Sequence, residues 1–312
     1  MGWLLLCLCA LPAFAANENR LPGYAGVQMQ RGPQNHLVVR GTVNGQPATF
    51  LVDTGADISF LRVDRAQAFG VRLIGEDTRR TGKKFPLGAL SGLVVGGRAL
   101  GDATVALTEP FQLGGTLPGG GAADGVIGLD LLRRQKAVIN CRTRQVFFKT
   151  DPAARLDLTG TTRALGFVRI SLEEGRRGDL NVSCSLRGRP GKLVVDTGAF
   201  VTGFDDDVAR SLGIVGQPSK LTTRGFDGRV RPLEIAHVDD LKIGGVPIAP
   251  QAFAIMDLFG EKKRRRTYTG FNRIEYYRAR TPGTRTFGVL GNELLDQRRA
   301  IIDLESLALF LK

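Results

Sequence analysis

Histidine is scarce in this chain, with only His36 and His237 in 312 residues, and neither a His-Glu-x-x-His nor a Cys-x-x-Cys spacing is present. Zinc sites are usually built on those spacings, so no metal site is expected. His36 precedes a strand-like run and His237 lies in one, which makes both structural. Gly119-Gly120-Gly121 opens no Walker sequence and reads as a pliable loop. Cysteine is equally thin. Cys7 and Cys9 fall in the apolar leader, leaving Cys141 and Cys184 in apolar segments where a buried free thiol is the ordinary state, a disulfide being the alternative that an oxidising compartment would permit.

No run is long and apolar enough for an ordinary membrane-crossing helix. The nearest is residues 1–16, where an uncharged stretch from Trp3 to Leu11 precedes Ala13-Phe14-Ala15, the small-x-small form of a signal-peptidase site. A signal peptide over 1–16 and export, to the periplasm or the medium, are therefore expected. The lack of Lys or Arg near Met1 leaves an uncleaved anchor as the alternative.

With 43% hydrophobic and 23% charged residues the chain is globular in composition. The 41 glycines and 14 prolines, set among short runs such as Leu37-Val38-Val39 and Leu193-Val194-Val195, predict many strands separated by turns, hence a mostly β fold with a few short helices.

The chain also repeats itself. Gly41 to Ala56 matches Cys184 to Ala199 without a gap at an offset of 143 residues, and the match runs on through Phe69-Gly70-Val71 and Leu212-Gly213-Ile214. Val95-Gly96-Gly97 then pairs with Ile243-Gly244-Gly245, Val126-Ile127-Gly128 with Val289-Leu290-Gly291, and Ala137-Val-Ile-Asn with Ala300-Ile-Ile-Asp. Matched blocks in unbroken order mean two tandem, equivalent lobes. The boundaries that follow are 17–149 for the N-terminal lobe, 150–164 for a linker and 165–312 for the C-terminal lobe. Asn44-Gly45 and Arg187-Gly188 are hairpin turns. Leu129 to Leu132 and Asn292 to Leu295 are one short helix per lobe.

A single Asp-Thr-Gly is a weak signal, because Asp and Gly are ordinary turn formers. Two at matched positions, each ending an apolar strand, are not. Asp53 and Asp196 would sit at the ends of buried segments, a costly place for a carboxylate that is neither paired nor used. If a pseudo-twofold axis brings the lobes together, the two carboxylates, roughly 3 Å apart, cannot both ionise cheaply and share one proton. One is then a base that activates water and the other an acid. Thr54 and Thr197 supply hydroxyls able to bond across the axis, and Gly55 and Gly198 allow close backbone approach.

Asp-Thr-Gly-Ala after an apolar strand, a Gly-containing flap region, then apolar-apolar-Gly and a short helix resembles the layout of retropepsin-like aspartic peptidases, here present twice over nearly the whole mature chain. The resemblance implies a two-lobed pepsin/retropepsin-like β-barrel fold, Asp53 and Asp196 as catalytic residues, and a peptide or protein substrate bound extended between the lobes. It also implies no metal or organic cofactor. Support falls to Thr54, Gly55, Ala56, Thr197, Gly198 and Ala199, and the flaps to segments containing Gly82 and Phe85, and Gly225 and Phe226. Ala56 and Ala199 stand where pepsin-like relatives carry Ser or Thr, which predicts activity at mildly acidic to neutral pH. A peptide-binding or anionic-surface-binding protein without turnover is the alternative on the same fold.

The net charge of +13 is concentrated. Glu261 to Arg285 holds nine basic and two acidic residues, within a 15-residue excess of the second repeat inside 257–286. Its Lys262-Lys263-Arg264-Arg265-Arg266 run is either a solvated loop or a contact to an anionic envelope surface. Export argues against nucleic acid, and a monomer is expected.

Overall fold

A computed structural model of the chain describes residues 20–32, 34–77, 85–109, 122–175, 178–224, 230–258 and 285–312. It is mostly β, with 51% strand against 12% helix, in two sheets. Strands Leu37–Val43 and Gln46–Val52 form a hairpin with Val38 opposite Leu51, and Leu180–Leu186 and Arg189–Val195 form its twin with Asn181 opposite Val194. Both turns are left-handed throughout: φ is 48° and 79° at Asn44 and Gly45, 50° and 72° at Arg187 and Gly188. That conformation matches the twist of the strands it joins. The two non-glycine turn residues also do the same job by different chemistry. Asn44 Nδ2 donates to the Phe69 carbonyl (2.7 Å), and Arg187 Nη1 donates to the carbonyl of the equivalent Leu212 (2.9 Å).

The second strand of each hairpin runs parallel to the apolar-apolar-Gly strand of its own lobe. Phe50–Val52 pairs with Gly125–Ile127, and Val194 and Val195 pair with Val289 and Leu290 of Thr286–Leu290. Helices α1 (Leu129–Arg134) and α4 (Asn292–Gln297) leave directly from those strands and bury Leu131 and Leu132, Leu294 and Leu295.

Six strands join the halves, in the order Tyr24–Gln28, Gln145–Lys149, Val138–Asn140, Ile301–Asp303, Ala308–Leu311 and Val168–Glu174. Three come from each half. The pseudo-twofold axis passes between the central pair, where Ile139 faces Ile302 with Val138 opposite Asp303 and Asn140 opposite Ile301. Tyr24–Gln28 is an integral edge of this sheet, so residues 24–28 belong to the folded body.

The region read as a linker is more ordered than a turn-rich connection. It contains helix α2 (Leu158–Ala164), whose first turn is capped by Asp157 accepting from Thr159 N–H. Leu158 packs with Val138, Phe147, Ala308 and Phe310 against the six-stranded sheet. A fourth helix, α3 (Asp206–Ser211), follows the strand after the second Asp-Thr-Gly; at six residues it is too short to show a helical period in the sequence. Leader residues 1–16 and the Lys262–Arg266 run lie outside the described residues.

A charged cluster fastens the halves behind the sheet. Glu305 accepts from Tyr24 Oη (2.9 Å), Lys136 Nζ (2.8 Å) and Lys149 Nζ (2.7 Å). Burial acts to raise the Glu305 carboxyl, but the hydrogen bonds from Lys136, Lys149 and Tyr24 outweigh it and hold it down at about 2. A depressed carboxyl contributes stability above its ordinary value, lost as pH falls towards the folded one. The Lys149 side chain is 5% exposed and Glu305 28% exposed, so removing the carboxylate strands a buried ammonium. Discounted for screening at Glu305, Glu305→Gln should cost about 2 kcal/mol at pH 7 in urea unfolding. The gap from the parent should close between pH 4.5 and about 2.

Candidate active site

Asp53 and Asp196 each stand one residue past the end of a buried strand, and the two strand ends meet at the pseudo-twofold axis. Their carboxyls are in hydrogen-bond contact with each other. A Cβ built on Gly55 would lie 2.3 Å from Asp196 Cγ, and one on Gly198 would lie 2.4 Å from Asp53 Cγ. Each lobe's glycine therefore makes room for the other lobe's carboxyl, and neither is demanded by a positive φ.

Thr54 and Thr197 are fully buried and interlock across the axis. Thr54 N–H donates to Thr197 Oγ1 (3.0 Å) and Thr197 N–H to Thr54 Oγ1 (3.1 Å). Each hydroxyl then donates back across the axis, Thr54 Oγ1 to the Val195 carbonyl (2.7 Å) and Thr197 Oγ1 to the Val52 carbonyl (2.8 Å). Both N–H groups and both hydroxyls of the pair are used.

The loops carrying the carboxyls are propped by residues the sequence reading missed. Ser59 Oγ accepts from Gly128 N–H (3.0 Å) and donates to Asp130 Oδ1 (2.7 Å). In the other lobe Thr202 Oγ1 accepts from Gly291 N–H (2.9 Å) and pairs with Glu293 Oε2 (3.2 Å). The Ala56 and Ala199 carbonyls accept from Leu129 and Asn292 N–H, at 2.8 and 2.9 Å. The signal was present: Ser59 and Thr202, Asp130 and Glu293 occupy matched positions of the repeat with like chemistry.

The two carboxyls are not equivalent. Asp196 Oδ1 accepts from Gly198 N–H (2.8 Å) and Ala199 N–H (2.9 Å), whereas the backbone donor to Asp53 Oδ1 is Gly55 N–H (2.7 Å). Both residues are half-buried, and their carboxyls are ringed by protein atoms. Loss of hydration pushes both above the usual carboxylate range. At Asp53 the Asp196 charge and the shared hydrogen bond add to that rise, while at Asp196 the N–H donors and the same bond oppose it. The extra N–H donor favours the negative charge on Asp196 and the shared proton on Asp53.

His36, read as structural, lies beside this pair, facing Asp53 and the Gly198 carbonyl. His237 lies in strand Val230–Val238, opposite Ala252. Cys141 and Cys184 are free and buried, and burial pushes both thiols up to about 12. Asp205, Asp206 and Asp257 form a cluster with metal-ligand spacing, and Asp205 also faces Arg285 at 3.8 Å.

Of the flap residues, Phe85 opens strand Phe85–Leu90, which pairs with Arg72–Asp77. The second lobe has the equivalent hairpin, Gln217–Arg224 with Val230–Val238. Gly82, Gly225 and Phe226 lie outside the described residues.

Among solved structures, a retropepsin-like aspartic protease from Rickettsia conorii is 22% identical over 40% of this chain and 91% of its own, with a TM-score of 0.31. An aspartic proteinase from Irpex lacteus is 12% identical over 92% and 96%, with a TM-score of 0.46. Conglutin gamma, a basic 7S globulin from lupine seeds, is 9% identical over 94% and 95%, also at 0.46. No curated protein matches the chain. The sequence model of the aspartyl protease family matches residues 39–131 and 182–294. Each matched segment carries its own Asp-Thr-Gly, and together they make this chain a member of the aspartyl protease family.

Proposed function

We propose that the chain is an aspartic endopeptidase in which Asp53 and Asp196 act as one proton-sharing pair on an extended peptide lying between the lobes. The observation that carries this is the hydrogen-bonded contact between two carboxyls that each sit at the end of a buried strand. In the reaction, ionised Asp196 takes a proton from water as its oxygen attacks the peptide carbonyl. Asp53 gives its proton to the carbonyl oxygen. The tetrahedral diol then collapses: Asp196 returns its proton to the amide nitrogen, the C–N bond breaks, and Asp53 recovers a proton from the diol hydroxyl. Acid and amine leave, and the pair is back in its starting state.

The hairpins Arg72–Asp77/Phe85–Leu90 and Gln217–Arg224/Val230–Val238 are the proposed covers of the cleft. Leu73, Ile74, Leu221 and Val230 on their arms are exposed, at 66%, 43%, 55% and 55%. Apolar side chains there favour a substrate with apolar residues flanking the cleaved bond.

The enzyme is further proposed to work outside the cytoplasm, as the apolar leader suggests, with Lys262–Arg266 docking on an anionic envelope surface. Deleting those five residues should abolish salt-sensitive binding to anionic vesicles and leave peptide cleavage intact; unchanged binding rejects the docking role.

Digestion of a peptide library should show cleavage by the parent, and Asp53→Asn or Asp196→Asn should lower kcat/KM by about 10⁴-fold or more. Cleavage by either variant at the parent rate, or none by the parent, excludes the peptidase. Because both carboxyls are raised, both limbs of the rate profile move up, with a maximum between about pH 5 and 7. A maximum below about pH 3 would contradict the assignment of a poorly solvated pair.

The raised Asp53 also has a stability consequence of opposite sign to Glu305. Over the range in which the unfolded carboxyl ionises and the folded one does not, stability falls as pH rises. Asp53→Asn removes that loss, so at pH 7 it should stabilise the protein by about 1–3 kcal/mol while cutting activity.

A further inference from the structure

The two halves carry the same lead-in loop and use it differently. In the first half Gly32 N–H donates to the His36 carbonyl (2.8 Å) and Asn35 N–H to the Gly32 carbonyl (3.1 Å). In the second, Gly175 N–H donates to the Asp179 carbonyl (2.8 Å) and Gly178 N–H to the Gly175 carbonyl (3.0 Å). Each loop also sends an ion pair to the short helix of the opposite half, with the charges exchanged. Arg31 meets Asp296 of α4 at 2.9 Å, and Glu174 meets Arg133 of α1 at 2.9 Å.

The likeness ends at the last residue of the loop. Asp179 turns back on its own half: its carboxylate accepts from Asn181 Nδ2 and lies over Gly175, where a Cβ would meet Asp179 Oδ1 at 2.1 Å. The first-half loop crosses to the other lobe instead. Asn35, at a φ of 59°, donates Nδ2 to the Phe200 carbonyl (3.2 Å). It accepts from Arg31 Nη1 on its side chain (2.8 Å) and from Asn292 Nδ2 on its carbonyl (3.0 Å). Asn292 in turn donates to the Thr197 carbonyl. Pinned on both sides, this loop delivers the His36 ring to the Gly198 carbonyl, beside Asp53.

Gly198 C=O and Ala199 N–H belong to one peptide unit, and that N–H is the second donor to Asp196 Oδ1, at 2.9 Å. Pulling on the carbonyl polarises the N–H. We propose that His36 is a positioning residue for the dyad: its ring N–H donates to the Gly198 carbonyl and, through that peptide, strengthens the Ala199 bond that holds negative charge on Asp196. This stands in for the hydroxyl that Ala199 lacks, and it rests on the peptidase reading above.

The charged groups around the ring are few. Asp53 faces it from the end of strand Gln46–Val52, Asp196 lies behind the Ala199 N–H, and Arg31 on the same loop is taken up by Asp296 and Asn35. Burial lowers the affinity of the ring for a proton, against the pull of Asp53 and of the Gly198 carbonyl, so His36 acts as a neutral donor.

The test compares the parent with His36→Leu, which has no donor, and His36→Gln, which keeps one. Two quantities are followed against pH: kcat and KM on a cleaved peptide, and the carboxyl ¹³C shift of Asp196, which needs no turnover. His36→Leu should lose about tenfold in kcat with KM changed less than about twofold, and its acid limb and Asp196 titration should both move up by about half to one pH unit. His36→Gln should restore most of each. An unmoved Asp196 titration in His36→Leu, or a His36→Gln protein as impaired as His36→Leu with parental melting temperature, overturns the proposal. Should His36→Leu fail to fold, His36→Met carries the same comparison. A parent that cleaves no peptide rejects the peptidase reading alone, and the Asp196 titration still decides the role of His36.

Discussion

Two carboxyls that compete for one proton must be held in contact at the seam between two lobes, and the rest of the molecule is arranged around that requirement. Whenever both are charged they repel, and the pair separates unless something stiffer opposes it. The opposing element is the threonine interlock, four hydrogen bonds between Thr54 and Thr197 and the strands behind Asp53 and Asp196. Because both threonines are sealed from solvent, breaking the interlock would leave several polar atoms buried without partners. The six-stranded sheet and the Glu305 cluster act at a distance to the same end, fixing the halves so that the axis does not open.

A tandem repeat produces a symmetric frame at low cost in sequence information, but a symmetric pair of carboxyls has no preferred acid and no preferred base. The departures from symmetry gather where that matters. Two N–H donors reach Asp196 and one reaches Asp53. The ion pairs at the lead-in loops keep their geometry with the signs reversed, which preserves the tie between lobes while leaving the neighbouring position free to differ, His36 in one half and Asp179 in the other.

The frame was legible in the sequence because the repeat is ungapped through the hairpin and the Asp-Thr-Gly, where every residue has a geometric duty. The hairpin turns at Asn44-Gly45 and Arg187-Gly188 could be read from residue type, as could the strand–helix junctions after Gly128 and Gly291. What escaped has a common cause. Ser59 with Asp130, Arg31 with Asp296, and Glu305 with Tyr24, Lys136 and Lys149 are contacts between residues far apart in the chain, and nothing local marks the partner. The position of His36 was hidden for the same reason: only the crossing of the first-half loop to the second lobe brings it beside Asp53. Helix α2 was lost among turn-forming residues, since its stability comes from Leu158 packing on the sheet and not from its own propensity.

Ala56 and Ala199 show how such a frame sets the chemistry. The hydroxyls of Ser59 and Thr202 are committed to the Gly128 and Gly291 N–H groups and to the acids of α1 and α4, and so give nothing to the dyad. The ionised carboxyl is then supported by backbone N–H groups and by its protonated neighbour. Desolvation of a carboxyl in such a place raises its proton affinity by up to several units, and two or three hydrogen bonds to the anion recover only part of it. The balance at both positions is upward. With alanine at 56 and 199, neither position offers a side-chain hydroxyl to offset that rise.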